Sequence, residues 1–375
     1  MRRWSSWIGM VLVAAVGMSP ARAQESLDAQ GAGSVPDPRS VAVVEMDAVQ
    51  VSGVQPGPGL WQISRGDHVL YILGTQSPLP RDIQWQSDEV RQVLAEAGVV
   101  LGEPGVSVSA DVGLLRGLTL VPAALRAQRN PDGATLDELL PPEVNARWSR
   151  LKARYLGRAR GVEKKRPAIA AYELYRAALK EHGLRGGGVV QPVIDGLAKA
   201  GGLEQVSTVL KVEVADPRKA LAEFRGEAMR PQDLQCFVRT LDLVEHGLPQ
   251  VARRAGAWST GDLAALRAMP EAGSQVRACL EAWAQTDTAR RRGFTDIEAR
   301  VRERWLEAAL AALAEHRVSF ATLPIESLLY GHGGFVQGLE ARGYVVSAPD
   351  QATSTDDEVD VAEQADSQLP AAGPG

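Results

Sequence analysis

The stretch from Leu60 to Glu103 constrains the fold more than any other part of the chain. Leu60–Ser64, a turn at Arg65, Gly66 and Asp67, and His68–Leu73 read as a β-hairpin. Aromatic and β-branched residues fit a half-buried pleated surface, and Gly-Asp suits the tight turn between two such runs. The second strand runs straight into Gly74-Thr75-Gln76-Ser77-Pro78, a loop at the carboxyl end of a buried strand. Open α/β sheets bind their ligands at such ends. Ser87 can then cap a helix whose Val90, Val93, Leu94 and Ala97 share one face, with Gly98 closing it. The short apolar run Val99–Leu101 delivers Glu103. Strand, loop, helix, strand, carboxylate: this is the pattern of a βαβ unit, and it sets the class as α/β.

The rest of the chain adds helices to that unit. Val112–Leu125 is apolar but carries Gly113, Gly117 and Pro122, which predicts a broken helix. Thr135–Glu138 is a capping box ahead of a helix with Trp148, Leu151 and Tyr155 on one stripe. Pro167 suits the first turn of the next helix, with Ile169, Tyr172, Tyr175 and Leu179 facing inward. Gly186–Gly188 is a flexible break, residues 189–200 form another helix, and Val206–Val214 reads as a strand carrying Glu213. From Asp216 to His316 the pattern is nearly all helical, the last helix opening at a second capping box, Thr295–Glu298. Val318–Leu323 is a strand, followed by a helix over Gly334–Arg342 and a strand over Tyr344–Val346. The predicted architecture is a mixed β-sheet flanked by helices with a large helical insertion.

Composition bears on location. Residues 1–23 have a basic start (Arg2, Arg3), an apolar core from Ile8 to Val16 and an Ala21-Arg22-Ala23 cleavage pattern, as in a secretory signal peptide. An uncleaved anchor is the alternative, although that core is short for a bilayer. Residues 24–56 read as a linker, 57–349 as the folded domain, and 350–375, with seven acids and no base, as a disordered tail. The expected location is periplasmic or secreted, with no stable membrane span after signal cleavage. There the only two cysteines, Cys236 and Cys279, are expected to pair, or else to be two buried free thiols. Residues 147–166 hold nine Lys or Arg against the single acid Glu163. Such a run is a patch for an anionic polysaccharide, lipid head group or acidic partner, or else a solvated helix face, or a dock for the chain's own acidic tail. Nucleic acid is not expected outside the cytoplasm, and no aromatic residues interleave for base stacking.

Three segments carry a family resemblance: the hairpin and Gly74-Thr75 unit, Trp258-Ser-Thr-Gly-Asp-Leu263, and Gly334-Phe-Val-Gln-Gly-Leu-Glu-Ala-Arg-Gly-Tyr-Val-Val346. Together they resemble the TraB/GumN family, the bacterial relatives of the Tiki proteases, over roughly Leu60 to Val346. The resemblance implies a metal-dependent hydrolase or peptidase with a G-T-x-H motif, a Glu after the next strand and a second G-x-x-H motif. In this chain Ser77 stands at the first His, and the second motif falls on Ile325-Glu-Ser-Leu328, with Ser327 at the His position under a one-residue shift. Glu103 matches the family Glu, and Glu213 matches a second one. A divalent transition metal wants imidazole or thiolate donors and three or four ligands, which two carboxylates and a serine do not supply.

The candidate chemistry is correspondingly thin. The vestigial pocket suggested by the resemblance comprises Gly74, Thr75, Ser77, Glu103, Glu213 and Ser327, with no catalytic residue, metal ligand or cofactor assigned. Ser77 needs a base to act as a nucleophile and is not in a G-x-S-x-G elbow; as a loop hydroxyl it needs nothing more. Glu103 and Glu213 can serve as a carboxylate pair only if they are neighbours. Of the five histidines, His332 in Tyr330–Gly334 is the one that could join them; His68, His182, His246 and His316 have ordinary positions at turns or helix ends. The expected function is binding of a cell-envelope ligand or partner by a catalytically degenerate family member; the alternative is a working metal-dependent hydrolase.

Overall fold

The computed structural model describes residues 53–109, 114–270 and 296–351. The signal segment, most of the linker and almost all of the acidic tail lie outside the described residues, as do Cys279 and Thr295. The hairpin is β1 (Trp61–Arg65) and β2 (His68–Thr75), followed by α1 (Asp88–Glu96) and β3 (Val99–Leu101). Next come β4 (Gly105–Ser109), α2 (Leu114–Ala127), α3 (Pro142–Tyr155), α4 (Pro167–Glu181) and α5 (Val190–Gly201). Then β5 (Glu204–Val206), β6 (Val209–Glu213), α6 (Pro217–Gly226), α7 (Pro231–Asp242), α8 (Leu248–Thr260) and α9 (Leu263–Ala268). The chain closes with α10 (Ile297–Glu315), β7 (Val318–Pro324), α11 (Ile325–Leu329), α12 (Phe335–Glu340) and β8 (Val345–Ser347).

Six of these strands form one mixed sheet in the order β8-β1-β2-β7-β3-β5. β2, β7, β3 and β5 are parallel, and β1 is antiparallel to both of its neighbours. The crossover from β2 through α1 therefore lands on β3 with one place left between them, and β7 fills it from far along the chain. Strands covered on both faces are nearly continuously apolar. Leu70, Ile72 and Leu73 of β2 and Phe320, Ala321 and Leu323 of β7 are all fully buried. α1 begins as expected, with the Ser87 side chain accepting from the Val90 N–H at 3.2 Å, and it buries Val90 and Leu94. The helices between β3 and β7 make up the large insertion. Its interior is built around Trp148 against Phe237, with ring centroids 5.4 Å apart.

Trp258 joins that insertion to the sheet. It is fully buried, its ring centroid lies 6.3 Å from that of Trp85, and its indole N–H donates to the Gly74 carbonyl at 2.7 Å. The residues after it have separate tasks. Gly261 caps α8 at φ +76°, and a Cβ there would lie 2.6 Å from the Gly57 carbonyl oxygen. Asp262 accepts from the Ala265 N–H at 2.8 Å and so starts α9. The Trp-x-x-Gly-Asp-Leu pattern is thus a packed corner between sheet and insertion.

Several expectations need correction. α2 runs through Gly117 and Pro122 without the predicted break, and Arg218 of α6 donates to Thr119 from alongside it. Tertiary packing overrides local propensity here. Val206–Val214 is two strands, because Thr208 turns inward to donate to the Gly102 carbonyl at 2.7 Å. β5 stays in the main sheet while β6 pairs with β4 in a separate parallel ladder. On α4 the buried face is Ala170, Ala171, Leu174, Ala178 and Leu179, and Tyr172 is 60% exposed rather than inward. The expected Cys236–Cys279 disulfide falls on Cys279, which lies outside the described residues.

Replacing Trp258 by Phe keeps most of the ring packing but strands the Gly74 carbonyl. The cost of a buried unsatisfied acceptor is about 1–3 kcal/mol. Urea unfolding of the Trp258→Phe variant should show a lower midpoint at an unchanged slope, and an unchanged midpoint would remove this corner from the account.

Candidate functional site

The parallel strands end side by side. Thr75 is paired with Pro324, and Leu101 with Ala321, so the loops after β2, β7 and β3 leave the sheet at one place. A cleft of ≈ 1260 Å³ opens there. Thr75, Glu103, Pro324, Ile325 and Glu326 form its floor. α4 supplies one wall through Tyr172, Tyr175, Arg176, Leu179 and Lys180, positions that recur at helical spacing. Gly186–Gly188 forms the rim. Leu243 and Gly247 close the far side from a single π-helical turn, Leu243–Gly247, of the kind that often marks functional positions.

Thr75 holds the floor together. Its Oγ1 lies 2.8 Å from Glu103 Oε2 and 3.1 Å from the Leu323 carbonyl oxygen. A threonine hydroxyl has one hydrogen to give. With Glu103 ionised, both neighbours are acceptors and one contact goes unmade. With Glu103 protonated, its O–H donates to Thr75 and Thr75 donates to Leu323, so both contacts are hydrogen bonds. Burial pushes the Glu103 carboxyl above the usual glutamate range, outweighing the opposing hydrogen bond from Thr75. Burial, the larger cause, therefore makes this carboxyl harder to ionise than an ordinary glutamate.

The other residues singled out in the sequence are distributed unevenly. Ser77 lines the cleft, and its Oγ accepts from the Gly187 N–H at 3.1 Å, tying the glycine rim to the loop after β2. None of the cleft-lining residues is a histidine, so Ser77 has no imidazole base beside it. Gly74 sits beneath the floor, where a Cβ would lie 2.8 Å from Ile325 Cγ1; only glycine admits that approach. Ser327 is buried on α11 and does not line the cleft. Glu213 is exposed at the end of β6, paired with Ser109 in the separate ladder, away from the cleft lining. His332 packs against Tyr330, with ring centroids 5.8 Å apart, and does not line the cleft either. The proposed grouping of His332, Glu103 and Glu213 is not brought together.

The basic run 147–166 is largely consumed within the fold. Arg147 pairs with Asp242 and Glu245, Lys152 with Glu163, Arg154 with Glu181 and Lys165 with Glu173. Arg166 is buried and donates to backbone carbonyls, including those of Ala127 and Glu227. Arg150, Arg158, Arg160 and Lys164 remain at the surface.

Sequence reasoning missed Arg254 and Glu326. Arg254, on α8, is fully buried behind the floor, and its Nη2 lies 3.7 Å from Glu326 Oε1. An Arg inside an apolar helical stripe is the signal that could have revealed it, since a buried guanidinium demands a partner. Glu326 falls within the segment aligned with the second His motif, two places before Leu328 at the His position, so that segment carries an ion pair.

The model of the TraB/PrgY/gumN family matches residues 59–348, and the chain belongs to that family. No curated protein and no solved structure matches it. The metal associated with the family does not fit the residues present. Metal ligands must be deprotonated, whereas burial makes Glu103 harder to ionise than an ordinary glutamate and Glu326 faces a buried guanidinium. Among the described residues, no group of three or more His, Cys, Asp or Glu is placed to hold an ion.

Because the folded-state pKa of Glu103 is raised, its contribution to stability is present below the unfolded value and lost as pH rises through the folded value. Glu103→Gln removes that loss while keeping an oxygen for Thr75. Its melting temperature relative to the parent should rise between acidic and mildly alkaline buffer, as read by calorimetry. A gap that is flat or shrinks with pH would contradict the neutral acid.

Proposed function

We propose that this family member is exported and binds a cell-envelope ligand in the cleft above β2, β3 and β7 without metal-dependent hydrolysis. The observation that carries the reading is the Thr75 hydroxyl placed between Glu103 and the Leu323 carbonyl, which favours a neutral acid where the family has a metal-site carboxylate. Ser77 at the first His position is engaged with Gly187, and the second motif holds the Arg254–Glu326 pair. The floor thus keeps the placement of an α/β ligand site with different chemistry.

Export rests on the first 23 residues: a basic start, an apolar core and a small-residue cleavage pattern. In this reading a linker precedes the domain at 57–349, and an acidic tail follows it. Among the described residues no helix is long and apolar enough to cross a membrane. The site of action is then the periplasm or the outside of the cell.

Metal analysis of the purified protein separates this reading from a working metallohydrolase. Zinc and manganese should be well below one equivalent, and treatment with a chelator should leave the melting temperature unchanged. One tightly held equivalent that disappears in Glu103→Ala would overturn the reading.

A further inference from the structure

The acids and bases around the cleft are not matched. Glu103 turns to Thr75, Glu173 pairs with Lys165, and Glu326 pairs with Arg254, so each cleft acid has a partner. The cations are different. Arg81, Arg176, Lys180 and Arg185 line the cleft and are exposed, and none forms an ion pair with a described carboxylate. Two of their guanidinium groups reach only backbone, Arg81 to the Lys180 carbonyl and Arg185 to the Gly188 carbonyl at 2.7 Å. A concave site lined by one sign of charge concentrates its field and its counter-ions.

The wall also offers an aromatic face. Tyr172 is 60% exposed, and the Arg176 guanidinium carbon stands 5.9 Å from its ring centroid. The volume of ≈ 1260 Å³ exceeds the roughly 300–1,000 Å³ of an ordinary small-molecule site, which suits a chain-like ligand. A peptide would seek an open strand edge for main-chain pairing. The three strands of the main sheet that reach the cleft do so end-on, each already paired on both sides, and the ladder of Leu79–Pro80 with Leu184–Arg185 at its lining is only two residues long.

Taking the cleft as the ligand site proposed above, we infer that it binds an anionic glycan, a sugar chain bearing carboxylate or phosphate groups. The anionic groups meet Arg81, Arg176, Lys180 and Arg185, and a sugar ring lies on Tyr172. Loss of two charge-assisted hydrogen bonds should weaken binding by about tenfold or more, and added salt should weaken it further.

Calorimetric titration of the full chain tests this with tetragalacturonate, a phosphorylated hexose, neutral maltotetraose and the acidic peptide tetraglutamate. Tetragalacturonate or the phosphorylated hexose should bind, and which is tighter identifies carboxylate or phosphate as the source of charge. Binding should fall by about tenfold or more in Arg176→Ala/Lys180→Ala and be retained in Arg158→Ala/Arg160→Ala, which changes surface cations outside the cleft. Both pairs are exposed, and far-ultraviolet circular dichroism checks their folding. Equal binding of maltotetraose, tetraglutamate binding as tightly as the acidic sugars, equal losses in the two variants, or no binding of either anionic sugar would each overturn the inference. Those results leave the metal-free reading standing, because that reading is tested separately by the metal content of the protein.

Discussion

One hydroxyl with one hydrogen sits between two oxygens at the end of β2, and the character of the cleft follows from how that hydrogen is used. Thr75 reaches Glu103 after β3 and the Leu323 carbonyl on β7, so it ties together the carboxyl ends of three parallel strands. All three are satisfied when the carboxyl is protonated. A protonated carboxyl is a hydrogen-bond donor and a poor ligand for a cation. The same contact that closes the sheet at this end therefore changes what the site can hold. One residue earlier, the Gly74 carbonyl takes the Trp258 indole N–H, so the helical insertion is fastened to the same strand end.

Much of the sheet was legible because its signals are local. The hairpin, the Ser87 cap, the Val99–Leu101 strand and the final helix and strand each carry their own turn, cap or apolar run. What sequence patterns do not encode is which strand fills the gap between β2 and β3. That place goes to β7, more than two hundred residues later, and the pairing is visible only in space. The faces of the insertion helices were harder still. Tyr172 has the spacing of a core residue, yet the small side chains Ala170, Ala171 and Ala178 form the buried face and let α4 approach closely. The tyrosine is left on the cleft wall.

The site was half legible. Gly74, Thr75, Ser77 and Glu103 lie within one strand–loop–helix–strand segment, and the structure gathers Thr75, Ser77 and Glu103 around the cleft with Gly74 beneath them. Glu213 was assigned to the end of a continuous strand that the structure splits, and its half joins a different ladder. Ser327 shares the right segment but turns inward from α11. The cations of the cleft were overlooked because they are scattered over the loop after β2, α4 and the glycine rim, whereas in the conspicuous run at 147–166 Arg147, Lys152, Arg154 and Lys165 pair with acids of the same fold. Charge density along a sequence is a poor guide to field strength in a cleft; what counts is which charges lack a partner.

The central claim concerns a single proton, and infrared difference spectroscopy reads it directly. Spectra of the parent minus Glu103→Gln, followed from acidic to neutral pH, isolate the Glu103 carboxyl. The account predicts the carbonyl stretch of a protonated acid persisting above the pH at which ordinary glutamates ionise, and unchanged by added zinc. Carboxylate bands at the ordinary glutamate pH, or the appearance of such bands as zinc is taken up stoichiometrically, would contradict it.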